Sequence, residues 1–169
     1  MSGSSAPSGS AFDWMKNVGN GLSVGFTGVE AGNLAMNTGA DADADAVVER
    51  RRRLEQRIGA GAGELKFMHQ THSTTVVAVD RARGDLRADA LMSTDGKTPL
   101  AVMVADCLPV LLAGRTHKGW ATAAVHAGRV GLLGGILPNA VAQMRGAGAH
   151  DIQAWIGPAI CGACYEVPS

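Results

Sequence analysis

An α/β fold, with a central, mixed and largely buried β-sheet and helices packed outside it, is what this sequence predicts. Continuous apolar runs such as PLAVMVA at 99–105 and ATAAV at 121–125 suit strands covered on both faces. Two other stretches, 46–58 and 130–145, repeat their apolar residues at helical spacing. With 23 glycines and only 4% aromatic residues, the core must be built from Val, Leu, Ile, Ala and Met packed against glycine-rich turns.

Residues 1–11, MSGSSAPSGSA, have little to bury and read as a disordered tail. LSVGFT at 22–27 is a first strand. A GNL turn at 32–34 and a polar run from Asp41 to Asp45 then lead into a helix over 46–58. Val47, Leu54 and Ile58 mark its buried stripe, and Arg51, four residues after Val47 and three before Leu54, falls on it. An inward arginine needs an anionic partner or a ligand, whereas Arg50, Arg52 and Arg53 read as a solvated face. Strands are expected at 65–69, 74–80, 88–92, 99–105, 108–113 and 119–125. The 130–145 helix, apolar at Leu133, Leu137, Val141 and Met144, is weakened by Gly134, Gly135 and Pro138. It should kink or split in two. IQAWIG at 152–157 is a last strand. No repeat or linker interrupts 12–169, so a single domain is the simplest organisation for a chain of 169 residues.

Charge and cysteine content exclude several classes. Lys+Arg and Asp+Glu both number 15, so nothing electrostatic favours a nucleic acid or an anionic membrane. No apolar run approaches the roughly 20 residues of a membrane span, and no signal-like stretch opens the chain. Three cysteines make a disulfide framework unexpected and suit a reducing cytoplasm.

The chemistry-bearing inventory is short. His72 stands in HQTHS before TTVVAVD, Cys107 in ADCLP between two apolar runs, and His126 in VHAG where a strand meets glycine. Each marks the end of a buried segment, where a fold gathers polar groups at one edge. Two imidazoles and a thiolate suit zinc with an open fourth position for water. The same donor set also serves copper, but blue-copper sites cluster Cys, His and Met on one loop, and neither His nor Met occurs over 108–116. A third reading needs no metal: Cys107 as nucleophile, His126 as its base and Asp106 nearby. A fourth is a non-catalytic zinc-stabilised binding module. Cys161 and Cys164 form one CxxC after a Gly-Pro turn, with no second pair and no helix to open. They read as ordinary turn cysteines rather than a redox pair or half a zinc site. His69, His117 and His150 read as surface or turn residues.

These segments together resemble one family, the bacterial laccase-domain or polyphenol-oxidase family, also called the peptidoglycan-editing-factor family. The resemblance rests on GNL at 32–34, QTHS at 70–73, ADAL at 88–91, VADCLPVLL at 104–112, AAVHAG at 123–128 and IGPAICGACYEV at 156–167. It implies a zinc site carried onto His72, Cys107 and His126, which would also be the catalytic residues, with Cu2+ supporting phenol oxidation. It further implies purine nucleosides and phosphate as small-molecule partners, in phosphorolysis and adenosine deamination. Asn33, Arg51 and Gln70 take the positions of the family's substrate or phosphate contacts.

Three departures accompany the match. Where the family usually reads His-Ala-Gly-Trp-Arg-Gly, Arg129 holds the tryptophan position and Val130 the arginine position. The helix motif reads Arg50-Arg51 in place of Asn-Arg. Family members also run on past this chain's last residue into a further arginine-containing motif. On this resemblance the chain is expected to be shortened, weakly active alone, and prone to self-association through uncovered apolar surface.

Overall fold

The computed structural model describes residues 4–5, 10–36, 43–82 and 84–166. The chain divides into two compact units, Met1–Leu65 and Lys66–Ser169. Gly59, Gly61 and Gly63 lie just ahead of the join, the nearest thing to a boundary signal in the sequence.

In the first unit, strands β1 (Ser4–Ser5), β2 (Phe12–Gly19) and β3 (Leu22–Thr27) form an antiparallel sheet in that order. The expectation of a disordered tail over 1–11 meets two findings: Ser4 and Ser5 pair with Met15 and Trp14, and Ala11 is buried. Residues 1–3 and 6–9 of that tail lie outside the described residues. β2 carries Asp13, Lys16 and Asn17 and so lacks the apolar signature of a strand. Its ladder with β3, and the Trp14–Phe26 ring pair at 5.6 Å, supply what the sequence pattern does not show.

Helix α1 (Ala44–Ile58) starts on Asp43, whose carboxylate accepts from the N–H groups of Asp45 and Ala46. Asp41 and Ala42, the start of the expected polar run, lie outside the described residues. The helix ends on left-handed Gly59. Its buried residues are Val47 at 1% exposure, Leu54 at 7% and Glu55 at 5%, whereas Ile58 is 38% exposed. Glu55 therefore replaces Ile58 on the stripe. Its carboxylate accepts from the Gly63 and Leu65 N–H groups and closes the loop after the helix.

The second unit is built on five strands: β4 (Val76–Ala78), β5 (Ala90–Ser93), β6 (Leu108–Thr116), β7 (Gly119–Ala127) and β8 (His150–Ile156). They lie in the order β4-β5-β7-β6-β8; only β4 and β5 pair parallel, so the sheet is mixed. The expected 130–145 helix splits at left-handed Gly135 into α2 (Arg129–Gly134) and α3 (Ile136–Gly146). Pro138 sits in the first turn of α3, where a missing N–H costs little.

Side-chain alternation covers both faces of this sheet. Ala90, Met92, Val110, Leu112, Ala123 and Val125 pack with Ile136, Ala140 and Met144 of α3. Full burial of a side chain such as Ile136 contributes roughly 1.5–3 kcal/mol. On the other face Leu91 packs with Met68 and Ala88, against Val77, Leu100 and Val102. The segments 65–69 and 99–105 are the exception to the strand expectations. They form only isolated bridges, Lys66 to Leu100 and His69 to Arg87. Their apolar residues signal burial against the sheet, but no continuous partner lies beside them to extend a ladder. None of the described helices is long and apolar enough to cross a membrane.

Candidate metal centre

Three pieces of the second unit converge at one end of the sheet's strands. Cys107 immediately precedes β6, and His126 is the penultimate residue of β7, paired in register with Pro109. His72 lies in the loop before β4, with φ 58° in the left-handed region that a non-glycine residue seldom adopts. One ligand atom from each of the three lies within 4.8 Å of the others. The His72 and His126 rings meet edge to face with centroids 4.8 Å apart. His126 is buried, Cys107 half-buried and His72 exposed, so the cluster grades from core to surface.

Asp89, fully buried just before β5, organises this arrangement. Its Oδ1 faces His126 Nδ1 at 2.8 Å and accepts the His72 N–H at 2.9 Å. Its Oδ2 accepts the N–H and hydroxyl of Ser73, at 2.6 and 2.7 Å, and both donors of Thr71 at 3.2 Å. This set of hydrogen bonds bends the 71–73 loop around one carboxylate and explains the positive φ of His72. It also engages His126 Nδ1, leaving Nε2 as the ligand nitrogen, the usual arrangement of a carboxylate behind a metal-binding imidazole. Burial pushes the Asp89 carboxyl up, but the bonds from His126, Ser73 and Thr71 outweigh it and hold it at about 2. Sequence reading passes over Asp89 because its donors lie far away along the chain.

Gly128 lies against all three candidate ligands. A Cβ there would sit 2.8 Å from His72 Cδ2, 3.2 Å from Cys107 Sγ and 3.3 Å from His126 Cε1. Gly131 and Gly134 continue the same face of α2, where a Cβ would meet the Ser73 carbonyl at 2.8 Å and Thr74 Cγ2 at 2.9 Å. Asn139 of α3 donates to the Thr74 carbonyl at 2.7 Å. The glycines that weaken the helix by propensity are thus what let it lie against the ligand loop. Gly128→Ala should lower metal affinity about tenfold, the lower end of the cost of disturbing the surroundings of a ligand. Isothermal titration with zinc, beside circular dichroism to show that the helices persist, checks it.

Two imidazoles and a thiol with an open surface side suit zinc as a donor set. Burial, together with the charges of Asp106 and Asp89, pushes the Cys107 thiol up. That favours the neutral thiol, the reverse of what a nucleophilic cysteine requires, and a divalent cation among the ligands would oppose it.

Gln70 donates from Nε2 to the Met103 carbonyl at 2.8 Å, and its Oε1 accepts the Met103 N–H at 3.1 Å. It thereby ties the His72 loop to the segment leading into Cys107. In the first unit, Asn33 Oδ1 accepts the Ala35 N–H, and half-buried Arg51 donates from Nε to the Leu34 carbonyl at 2.8 Å. Burial pulls the Arg51 pKa down, with Glu55 opposing. Arg52 and Arg53 are exposed and pair with Glu49, as a solvated face would. Arg129 and Val130 are both exposed, as are His69, His117 and His150.

An α/β unit with a His-Cys-His cluster at its strand ends defines the class. The chain belongs to the family described as multi-copper polyphenol oxidoreductase laccase, whose model matches residues 19–169. It is 39% identical over 161 residues to a purine nucleoside phosphorylase of Streptomyces coelicolor, covering 88% of this chain and 66% of that protein. It is 45% identical over 132 residues to one of Corynebacterium glutamicum, covering 75% of this chain and 53% of that protein. Among solved structures, a Neisseria meningitidis protein matches with TM-score 0.67 and 37% identity, over 80% of this chain and 54% of the other. YlmD from Geobacillus stearothermophilus matches with TM-score 0.66 and 30% identity, over 79% and 53%. The chain thus spans between half and two thirds of the length of these relatives.

Proposed function

We propose that this chain carries the metal-binding part of a purine nucleoside enzyme, with His72, Cys107 and His126 holding zinc. The observation that carries the reading is the His-Cys-His cluster backed by Asp89, in a chain whose relatives are named purine nucleoside phosphorylases. Zinc in that position would supply Lewis-acid polarisation of a substrate or of water. His126, held by Asp89, keeps one nitrogen directed to the cluster, and Gln70 and Asp89 fix the loop that carries His72. Phosphorolysis needs a phosphate oxygen to attack the sugar C1′ as the bond to the purine breaks, and the anion must be held by cationic groups. Arg51 and Asn33 are proposed as contacts to phosphate or nucleoside. Adenosine deamination, replacing the amino group at C6 by oxygen, is the second activity proposed for the same metal.

The test is product analysis on the zinc-loaded protein with adenosine and inosine, with and without phosphate. Phosphate-dependent release of free base and ribose 1-phosphate supports phosphorolysis, and ammonia with inosine supports deamination. Oxidation of phenols only after copper loading, with no nucleoside turned over, would overturn the proposal in favour of a laccase-like activity. In the same assay, Arg51→Ala should raise the KM for phosphate about tenfold, the scale of one lost hydrogen bond to a charged group. Arg52→Ala, which removes only an exposed pair with Glu49, should change it less than about twofold. Equal effects from the two would mean that the basic run acts as a diffuse patch.

A further inference from the structure

The CGAC segment has no part in the metal cluster, and its geometry differs from what its sequence suggests. Cys161 and Cys164 are both exposed, and their Sγ atoms are hydrogen-bonded at 3.2 Å. The Cys164 N–H donates to the Cys161 carbonyl at 3.0 Å, so the two thiols are held across a single turn. The segment is tied down ahead of that turn: the Gly157 N–H donates to the Pro109 carbonyl and the Ile160 N–H to the Asp106 carbonyl, both at 3.0 Å. No helix is needed to bring the two sulfurs together.

We propose that Cys161 and Cys164 form a thiol–disulfide exchange site that reacts with small-molecule disulfides. Cys161 is the attacking sulfur. The hydrogen bond it shares with the Cys164 side chain, and those from the Cys164 and Ala163 backbone, pull its pKa down. The Cys161 thiolate attacks one sulfur of a disulfide such as oxidised glutathione, forming a mixed disulfide and releasing one glutathione thiolate. The Cys164 thiol gives its proton to solvent and attacks the Cys161 sulfur, forming the intramolecular disulfide and releasing the second thiolate. Protein dithiol and oxidised glutathione thus become protein disulfide and two glutathiones, with two electrons passing to the glutathione. The turn brings the resolving thiol within reach of the mixed disulfide, so a glutathione adduct should not accumulate in the wild type.

The experiment incubates the zinc-loaded protein with oxidised glutathione, then alkylates the remaining thiols and maps them by mass spectrometry. The wild type should lose both Cys161 and Cys164 from the alkylated pool together, with a Cys161–Cys164 disulfide recovered. Cys164→Ser should stop at a glutathione adduct on Cys161, and Cys161→Ser should react at least about tenfold more slowly than Cys164→Ser, as expected when the better nucleophile is lost. Three results would overturn the proposal: both cysteines still alkylated under oxidised glutathione, equal adduct rates in the two single variants, or protection of both thiols by added zinc, which would make the pair a metal clip.

Discussion

Cys107→Ala and His126→Ala should each emerge from purification with little of the single zinc expected in the wild type. The cluster offers three protein ligand atoms, all within 4.8 Å of one another. Removing any one leaves two ligands and a wider solvent-filled coordination sphere, too few for a stable site of this type. Elemental analysis on protein prepared without added metal gives the readout, with His69→Ala and Cys161→Ala as controls. His69 is exposed, its N–H and carbonyl serve the backbone bridge to the 86–88 segment, and Cys161 lies on the CGAC turn. Both controls should retain full zinc. Full retention in Cys107→Ala and His126→Ala would sink the site. Copper in place of zinc in freshly purified wild type would leave the ligands standing and change the metal.

Two members of the cluster were legible in the sequence because they stand at the ends of apolar runs. Cys107 follows PLAVMVA and Asp106, and His126 ends ATAAV, so both positions read as strand ends where a sheet edge collects polar groups. Strand identity was less legible. PLAVMVA is apolar because it packs on the sheet beside Leu91, not because it joins the ladder, and hydropathy alone does not separate those two fates. β2 shows the converse, a strand in a polar segment, set by pairing with β3. Arg51 lies on the half-buried side of α1, yet its neighbour on that side is buried Glu55 rather than Ile58, because Glu55 reaches two backbone N–H groups beyond the helix. Gly128 gives no local signal of its role, since the three groups it accommodates come from three separate segments.

Asp89→Asn should be the most damaging conservative substitution in the second unit. The side chain keeps its volume, but one carboxylate oxygen becomes an N–H2 group that can only donate. Around it stand the N–H groups of Thr71 and Ser73 at Oδ2 and of His72 at Oδ1, so whichever way the amide turns, its nitrogen faces an N–H at a buried position. If the amide nitrogen takes the place of Oδ2, the bonds from the Ser73 and Thr71 N–H groups, at 2.6 and 3.2 Å, are lost and the loop carrying His72 loosens. If it faces His126, the imidazole must accept at Nδ1 and carry its proton on Nε2, the nitrogen required for the metal. Either outcome links one buried side chain to both stability and ligand geometry. Breaking a buried charged network by altering one partner costs about 3–5 kcal/mol, and loss of the carboxylate behind a ligand imidazole costs about 10–100-fold in metal affinity. Urea denaturation of the metal-free protein separates the first effect from the second, which zinc titration by competition with a chelator reads directly. Wild-type zinc affinity in Asp89→Asn, with its stability also unchanged, would show that the 71–73 loop and the His126 imidazole hold their positions without the charge.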